Sequence, residues 1–391
     1  MNALTSLPRI PQTALDAVAA RIDDVRLPRL VPSAASAPGP DQSRQRSLLD
    51  RWQGGFDWRR VEDRVDELGY HESTTADGRR LAAIHARAEN ATGVPVLLVH
   101  GWPDSPLRFI DLIPLLTAAG HHVVAPAIPG FWRSEEPESA MSRELAADDF
   151  HALMQELGYS RYAVHAGDWG SAIAQSIAQR EPEAVVAVHL TDVPFDLAYT
   201  IDKETGSPEE IAYLEAAEKF GQDAMYFTAN SMQPNMVATV LADTPFGLAT
   251  WLGSLYDAWS DSPISDDHII TNALTQYLTD SVRSSMRLYS EPAESWDEDS
   301  WAEDAAEAGD AEEGDGGGED ANWAEDWAPT PVEAPTAFAL FPSDIGMAPR
   351  ELAEKFFAVE RFTIMPRGGH FAALEEPQLL ADDLLAFLAG R

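Results

Sequence analysis

The chain has 391 residues, 45% of them hydrophobic, enough for one large domain with a cap or for two domains. It contains no Cys, which excludes disulfides, a thiolate nucleophile and Cys-ligated metal. The net charge is −38 and only three lysines occur, so no basic stripe is available to follow a phosphate backbone and nucleic acid is not an expected partner.

The acidity is spread along the chain. Residues 291–326 hold 16 acids and no Lys or Arg; without them, 49 acids still face 27 basic residues, a net charge of −22. Such a surface repels itself in dilute buffer and is screened in strong salt, which points to a salt-adapted cytoplasm. The alternative is an ordinary acidic protein carrying one acidic insert. Residues 1–20 lack the apolar core of a signal peptide, and no later run reaches the length of a membrane span. A cytoplasmic protein with no membrane partner is expected.

Residues 1 to about 45 are rich in Pro, Ser and Ala; a helix is expected over 13–25 and a loop at Pro38-Gly39-Pro40. Residues 47–68 read as a helix pair with Trp52, Phe56 and Trp58 as apolar anchors. Asp77-Gly78 separates 71–75 from 81–86 as the turn of a hairpin. The bounded apolar run 94–99 predicts a buried strand leading into His100-Gly101-Trp102-Pro103. Helix 109–119, strand 122–128, helix 144–157 and strands 162–166 and 185–190 follow. Strands alternating with helices argue for a parallel sheet. Residues 208–289 are mostly helical and aromatic, which suits a cap inserted between strands. The acidic segment 291–326 is of low complexity and reads as disordered, with a solvated acidic helix as the alternative for part of it. Strand 336–341, helix 351–357, strand 361–365 and helix 378–388 complete the chain. The expected division is an N-terminal extension (1–90), a core in two parts (91–200 and 330–391), a cap (201–290) and an acidic insert (291–329).

The chemistry centres on Gly167-Asp168-Trp169-Gly170, between the strand ending at Ala166 and a helical run over 171–179. Small residues two before and two after Asp168 give the strand–turn–helix spacing of a nucleophile elbow. A carboxylate attacking an ester would give a labile anhydride. Attacking an alkyl carbon, it gives an ordinary ester that water can cleave. The expectation is displacement at an alkyl–oxygen or alkyl–halogen carbon; the alternative is an Asp that merely caps a helix.

His370, in Pro366-Arg367-Gly368-Gly369-His370-Phe371, follows the last predicted strand and is the candidate base. Asp344, just after a strand, is the candidate orienting acid, and the order Asp168, Asp344, His370 is that of nucleophile, acid and base in this architecture. Pro103 turns the chain sharply, through a cis bond if one is adopted, and would aim the Trp102 N–H at the site. With the N–H of Trp169 it would form an oxyanion hole. A surface-loop His, a helix-capping Asp and an ordinary tight loop are the respective alternatives.

His100-Gly101-Trp102-Pro103-Asp104-Ser105, Gly167-Asp168-Trp169-Gly170-Ser171 and Gly368-Gly369-His370-Phe371 together resemble the epoxide hydrolases of the α/β-hydrolase fold. The likeness is closest to the microsomal and juvenile-hormone branch, which has an N-terminal domain. Phe56-Asp57-Trp58-Arg59 resembles the signature of that domain. Asp243-Thr244-Pro245-Phe246-Gly247-Leu248-Ala249 and Ser284-Ser285-Met286-Arg287-Leu288-Tyr289 resemble signatures of its cap. The resemblance implies an α/β class, α/β-hydrolase fold with a mostly parallel central sheet, a helical cap and an N-terminal extension. It implies hydrolysis of epoxides to vicinal diols through an ester on Asp168, with Tyr226 and Tyr289 donating to the epoxide oxygen and with no metal or other cofactor.

The expected partners are a small hydrophobic epoxide and water, with a homodimer left open. Phe227, Phe246 and Trp251 give the cap an aromatic lining and are the candidate substrate contacts. The chain departs from the family in Met232-Gln233-Pro234-Asn235, where Thr-Arg-Pro-Gln is usual, and in its acidic insert; the membrane anchor that some members carry is not expected here. A haloalkane dehalogenase using the same Asp, and a catalytically silent binding protein on this fold, are the competing readings. The distributed charge generates a first prediction. The melting temperature and the activity should both rise from low to molar salt as self-repulsion is screened. A melting temperature flat across that range would count against salt adaptation.

Overall fold

The computed structural model describes residues 6–29, 40, 42–291 and 330–391. The loop expected at Pro38-Gly39-Pro40 therefore lies outside the described residues except for Pro40, and the acidic insert lies outside them except for Glu291.

Eight strands form one sheet: β1 (Tyr70–Thr74), β2 (Arg80–Ala86), β3 (Val96–Val99), β4 (Val123–Pro126), β5 (Tyr162–Ala166), β6 (Val185–Leu190), β7 (Val332–Leu340) and β8 (Phe357–Ile364). Their spatial order is β1-β2-β4-β3-β5-β6-β7-β8. The hairpin β1–β2 and the pair β2–β4 are antiparallel, and every pair from β4 to β8 is parallel. Every residue of β3, β4 and β5 is buried, as near-continuous apolar runs in a sheet covered on both faces require, with buried His165 of β5 the exception among them. The chain reverses its direction of winding between β3 and β5, where Val99 pairs with Ala166. At such a switch point a crevice opens beyond the C-terminal strand ends.

Several boundaries differ from the sequence expectation, among them β8, which begins at Phe357 rather than 361, and two differ for identifiable reasons. The helix expected over 109–119 is divided into a 3₁₀ turn, Pro106–Phe109, and α4 (Leu112–Ala118). Pro114 has no N–H to donate, so it fits only the first turn of a helix and sets its start. Strand β7 begins at Val332 rather than 336 and carries Pro335 at a register shift against β8. A bulge is one of the few places where an interior strand accepts Pro.

Three helices precede the sheet: α1 (Gln12–Asp23), α2 (Gln42–Gln53) and α3 (Trp58–Leu68). Trp52 and Trp58 are buried as expected, and Phe56 packs against the core. Glu62 on α3 is buried and accepts from the Ile10 N–H at 2.7 Å and from Arg59 at 2.6 Å, which fastens the N-terminal segment. Helices α5 (Arg143–Glu156) and α6 (Trp169–Arg180) connect and flank the central strands.

Between β6 and β7 lie α7 (Pro208–Asp223), α8 (Met225–Met232), α9 (Pro234–Asp243), α10 (Pro245–Trp259), α11 (Asp266–Leu278) and α12 (Arg287–Ser290). Pro at the first position of α7, α9 and α10 preorganises each start. The N-terminal helices brace this cap. Arg51 makes a two-pronged contact to Asp267 at 2.6 and 2.7 Å, and Arg44 reaches Asp257 at 3.0 Å as well as Asp266. No helix among the described residues is long and apolar enough to cross a membrane.

Candidate active site

The C-terminal ends of β5, β6, β7 and β8 deliver Asp168, Asp192, Asp344 and His370 to one place. Asp168 sits between β5 and α6 with φ 61° and ψ −137°, a left-handed conformation unusual for a residue with a side chain. The geometry is that of the expected elbow, with Asp168 at the N-terminus of α6. Strain at such a residue persists only where its surroundings over-determine it. Here Asp192 Oδ1 accepts from the Asp168 N–H at 3.0 Å and from the Ser171 hydroxyl at 2.7 Å.

Each carboxylate oxygen of Asp168 faces a different partner. Oδ1 accepts from the Trp102 N–H at 2.8 Å. Oδ2 lies 3.4 Å from His370 Nε2, an ion-pair approach without an aligned hydrogen bond. The Trp102–Pro103 peptide is cis. Gly101 has to be glycine, because a Cβ there would fall 2.1 Å from Asp168 Oδ1. His100 fixes the same loop. Burial lowers its pKa to about 4, so the ring is neutral. Nε2 accepts from the Ile128 N–H at 3.0 Å, and Nδ1 donates to the Gly101 carbonyl at 2.9 Å. Trp169 opens α6, and its ring meets the Tyr289 ring edge-on at 5.3 Å.

His370 is buried, and its Nδ1 lies 2.7 Å from Asp344 Oδ1. Burial disfavours the charged ring, but the Asp344 charge and the contacts to Asp168 outweigh it and raise the pKa to about 10. In the resting protein the ring is an imidazolium between two carboxylates. Its backbone is tied as well: the His370 N–H reaches the Trp259 carbonyl at 2.9 Å, and buried Arg108 donates to the His370 carbonyl at 3.2 Å.

The two tyrosines meet above Asp168. Tyr226, on α8, is buried and stacks on Trp102, with centroids 5.1 Å apart and 5° between the planes. Tyr289, on α12, is half-buried as a residue, yet its ring is crowded edge-on by Trp102, Trp169, Tyr226 and Phe227. Burial, the larger influence, and the Asp168 charge push both phenols well above their ordinary pKa. Arg287 clamps the turn that carries Tyr289 by donating to the Pro137 and Ser139 carbonyls at 2.6 Å each.

Of the three residues expected to line the cap, Phe227 touches the Tyr289 ring at 5.5 Å. Phe246 is buried and Trp251 half-buried on α10, and neither joins the ring contacts around the tyrosines among the described residues. The α10 residue that does is Trp259, 5.0 Å from Tyr226 and 5.5 Å from His370. Sequence reading passed over Trp259, Arg108 and Asp192. Only the fold brings the first two to the site. Asp192 had a signal, since it stands two residues past a predicted strand, as an acid at a strand end. Burial, then the Asp344 charge, raises its pKa to about 7.

Fold and site together define an α/β hydrolase with a carboxylate, not a hydroxyl, at the elbow. The family model for the epoxide hydrolase N terminus matches residues 6–109, and that for the alpha/beta hydrolase fold matches residues 94–377. The chain is 30% identical over 378 residues to juvenile hormone epoxide hydrolase 2 of Ctenocephalides felis, covering 87% of this chain and 76% of that one. It is 27% identical over 409 residues to epoxide hydrolase 1 of Sus scrofa, covering 94% and 84%. The structure of Aspergillus niger epoxide hydrolase matches with a TM-score of 0.77 at 24% identity, covering 97% of this chain and 94% of that one. The chain belongs to the epoxide hydrolase family of the α/β-hydrolase fold.

The raised pKa of His370 makes stability depend on pH with a definite sign. The folded value of about 10 exceeds the ordinary 6.5, so between them the native state binds more protons than the unfolded one. The stabilisation is complete below about pH 6.5 and is lost as pH rises toward about 10. Melting temperatures taken from pH 6 to 10 should fall more steeply for wild type than for His370→Gln. Parallel curves would show that the charge of His370 does not contribute.

Proposed function

We propose that this enzyme hydrolyses epoxides to vicinal diols in two covalent steps, on the domain plan set out from the sequence and in a salt-adapted cytoplasm. The observation that carries the reading is the pair of phenols over an elbow carboxylate whose other oxygen faces a buried histidine. In the first step Asp168 Oδ2 attacks an epoxide carbon, the C–O bond breaks, and Tyr226 and Tyr289 hydrogen-bond and protonate the oxygen that leaves. Burial and the Asp168 charge keep both phenols protonated at rest. Attack consumes that charge, so the phenols become stronger acids as the alkoxide forms.

The same loss of charge readies the base. Once Asp168 is an ester, His370 no longer faces a second carboxylate and its pKa falls; it gives its Nε2 proton, through solvent, to the phenolate left on the tyrosine that protonated the oxygen, and the neutral ring can then take a proton from water. The hydroxide adds to Cγ of the ester, and the Trp102 N–H, with that of Trp169, holds the charge on Oδ1. The Cγ–O bond to the alkyl group then breaks, His370 returns the proton to the departing oxygen, the diol leaves, and the acid proton left on Asp168 passes to His370, restoring the carboxylate and the imidazolium. Asp344 holds the ring throughout. A dehalogenase would turn the Trp169 indole toward halide; here that ring packs edge-on against Tyr289, with centroids 5.3 Å apart. The aromatic rings of Trp259, Phe227 and Trp102 favour a hydrophobic substrate.

Replacing His370 with Ala should stop the second step and spare the first. Intact-mass analysis after exposure to an epoxide should show protein heavier by one substrate mass; full turnover, or no adduct with a proven substrate, would sink the assignment. Tyr226→Phe and Tyr289→Phe should each slow single-turnover ester formation by roughly ten- to a thousandfold, the scale of one acid catalyst or oxyanion donor, and the double variant should be nearly inactive. Breakdown of a preformed ester should barely change. Wild-type ester formation by Tyr226→Phe would leave Tyr226 a packing residue.

A further inference from the structure

The loop that carries His370 is fastened residue by residue, and one side chain provides much of the fastening. Glu375 closes the short helix Ala372–Glu375 and turns its carboxylate back over the loop. Its Oε1 accepts from the N–H groups of Gly369 at 3.1 Å and Phe371 at 3.2 Å, the two neighbours of His370. Its Oε2 accepts from the N–H groups of Asp261 at 2.6 Å and Ser262 at 3.1 Å. Those two belong to the cap, in the connection between α10 and α11. One carboxylate thus satisfies four backbone donors, two beside the base and two on the cap.

The surroundings reinforce the link. Asp261 Oδ2 accepts from the Gly368 N–H at 3.1 Å, and the His370 N–H itself goes to the Trp259 carbonyl. Glycine at 369 permits the approach, since a Cβ there would fall 2.4 Å from the Trp259 carbonyl oxygen and 3.0 Å from the Asp261 nitrogen. Trp259 ends α10 with its ring against both His370 and Tyr226. Burial raises the pKa of Glu375, and the four donors work against that rise. No electrons or protons of the reaction need pass through Glu375. What it sets is where the His370 ring stands relative to the cap.

We propose that Glu375 is a positioning residue, locking the base to the cap connection so that His370 Nε2 stays in register with the ester formed beneath the same cap. The inference rests on the two-step reaction proposed above. His370 acts as a base only in the second step, so a loosened loop should affect the steps unequally. A purely structural role would lower both together, through the fraction of folded protein.

The test separates the steps with styrene oxide as the probe, using single-turnover tryptophan fluorescence for ester formation and quenched intact mass for ester decay. In Glu375→Ala, ester decay should slow by about 10- to 100-fold, the cost of misplacing a reacting group by about an ångström. Ester formation should stay within about threefold of wild type, so that ester accumulates. If Glu375→Ala does not fold, Glu375→Gln decides. The amide keeps one accepting oxygen and presents N–H groups to the other pair of donors, and it should show a smaller loss confined to ester decay. Equal losses in both steps, or no loss in either, would overturn the inference while leaving the reaction intact. Wild-type protein that forms no ester with styrene oxide or with a panel of alkyl epoxides would overturn both.

Discussion

The buried His370 imidazolium stands between Asp344 at 2.7 Å and Asp168 at 3.4 Å. Removing such charges from water costs several kcal/mol per ion, and only close partners and hydrogen bonds offset it. Much of the surrounding structure answers that demand. The Trp102 N–H meets Asp168, the Ile345 N–H meets Asp344 at 2.6 Å, and Arg108 with the Trp259 carbonyl holds the His370 backbone. Asp192 shows what happens to a third acid in the same space. Burial first, and then the Asp344 charge, push its pKa up to about 7 although the His370 charge works against the rise.

The aromatic cap turns this arrangement into a reactive one. Trp102, Tyr226, Tyr289, Phe227 and Trp259 place rings above the elbow and lower the local dielectric, which strengthens every charge interaction inside. In the proposed reaction one event, conversion of Asp168 to an ester, acts on both neighbours. It relieves the phenols of a nearby negative charge and removes a partner from His370. The acid needed first and the base needed second are therefore readied by the same loss of charge, with no separate conformational step required.

The outer surface works on a different scale. Acids outnumber bases even away from the insert, and the few cations are placed where segments must be held. Arg44 and Arg51 of α2 face Asp257, Asp266 and Asp267 on the cap helices, while Arg287 secures the turn of Tyr289. Exposed pairs of this kind contribute up to about 1 kcal/mol each and are themselves screened by salt. The balance between short-range pairs and long-range repulsion decides how the protein responds to ionic strength.

Local rules read much of this from the residues alone. Strand β5 and strand β6 fall where the bounded, largely apolar runs place them, because burial on both faces favours hydrophobic sequence, each run being broken only by one buried histidine, His165 or His189. The elbow is legible because a tight strand-to-helix turn restricts residue size near Asp168, and Asp344 and His370 because they follow strands in a fixed order. The start of β7 was not legible, since Pro335 normally breaks a strand and only the bulge against β8 accommodates it. Nor were Trp259, Arg108 and Glu375. Trp259 and Arg108 lie 111 and 262 residues from the His370 atoms they hold, and Glu375 joins donors more than a hundred residues apart. By itself the sequence determined the order of elements and the places of the candidate nucleophile and base, because those depend on patterns within a few residues. Tertiary structure alone decided which cap residues meet them and how the base is held, because those contacts arise only when the cap folds back over the strand ends.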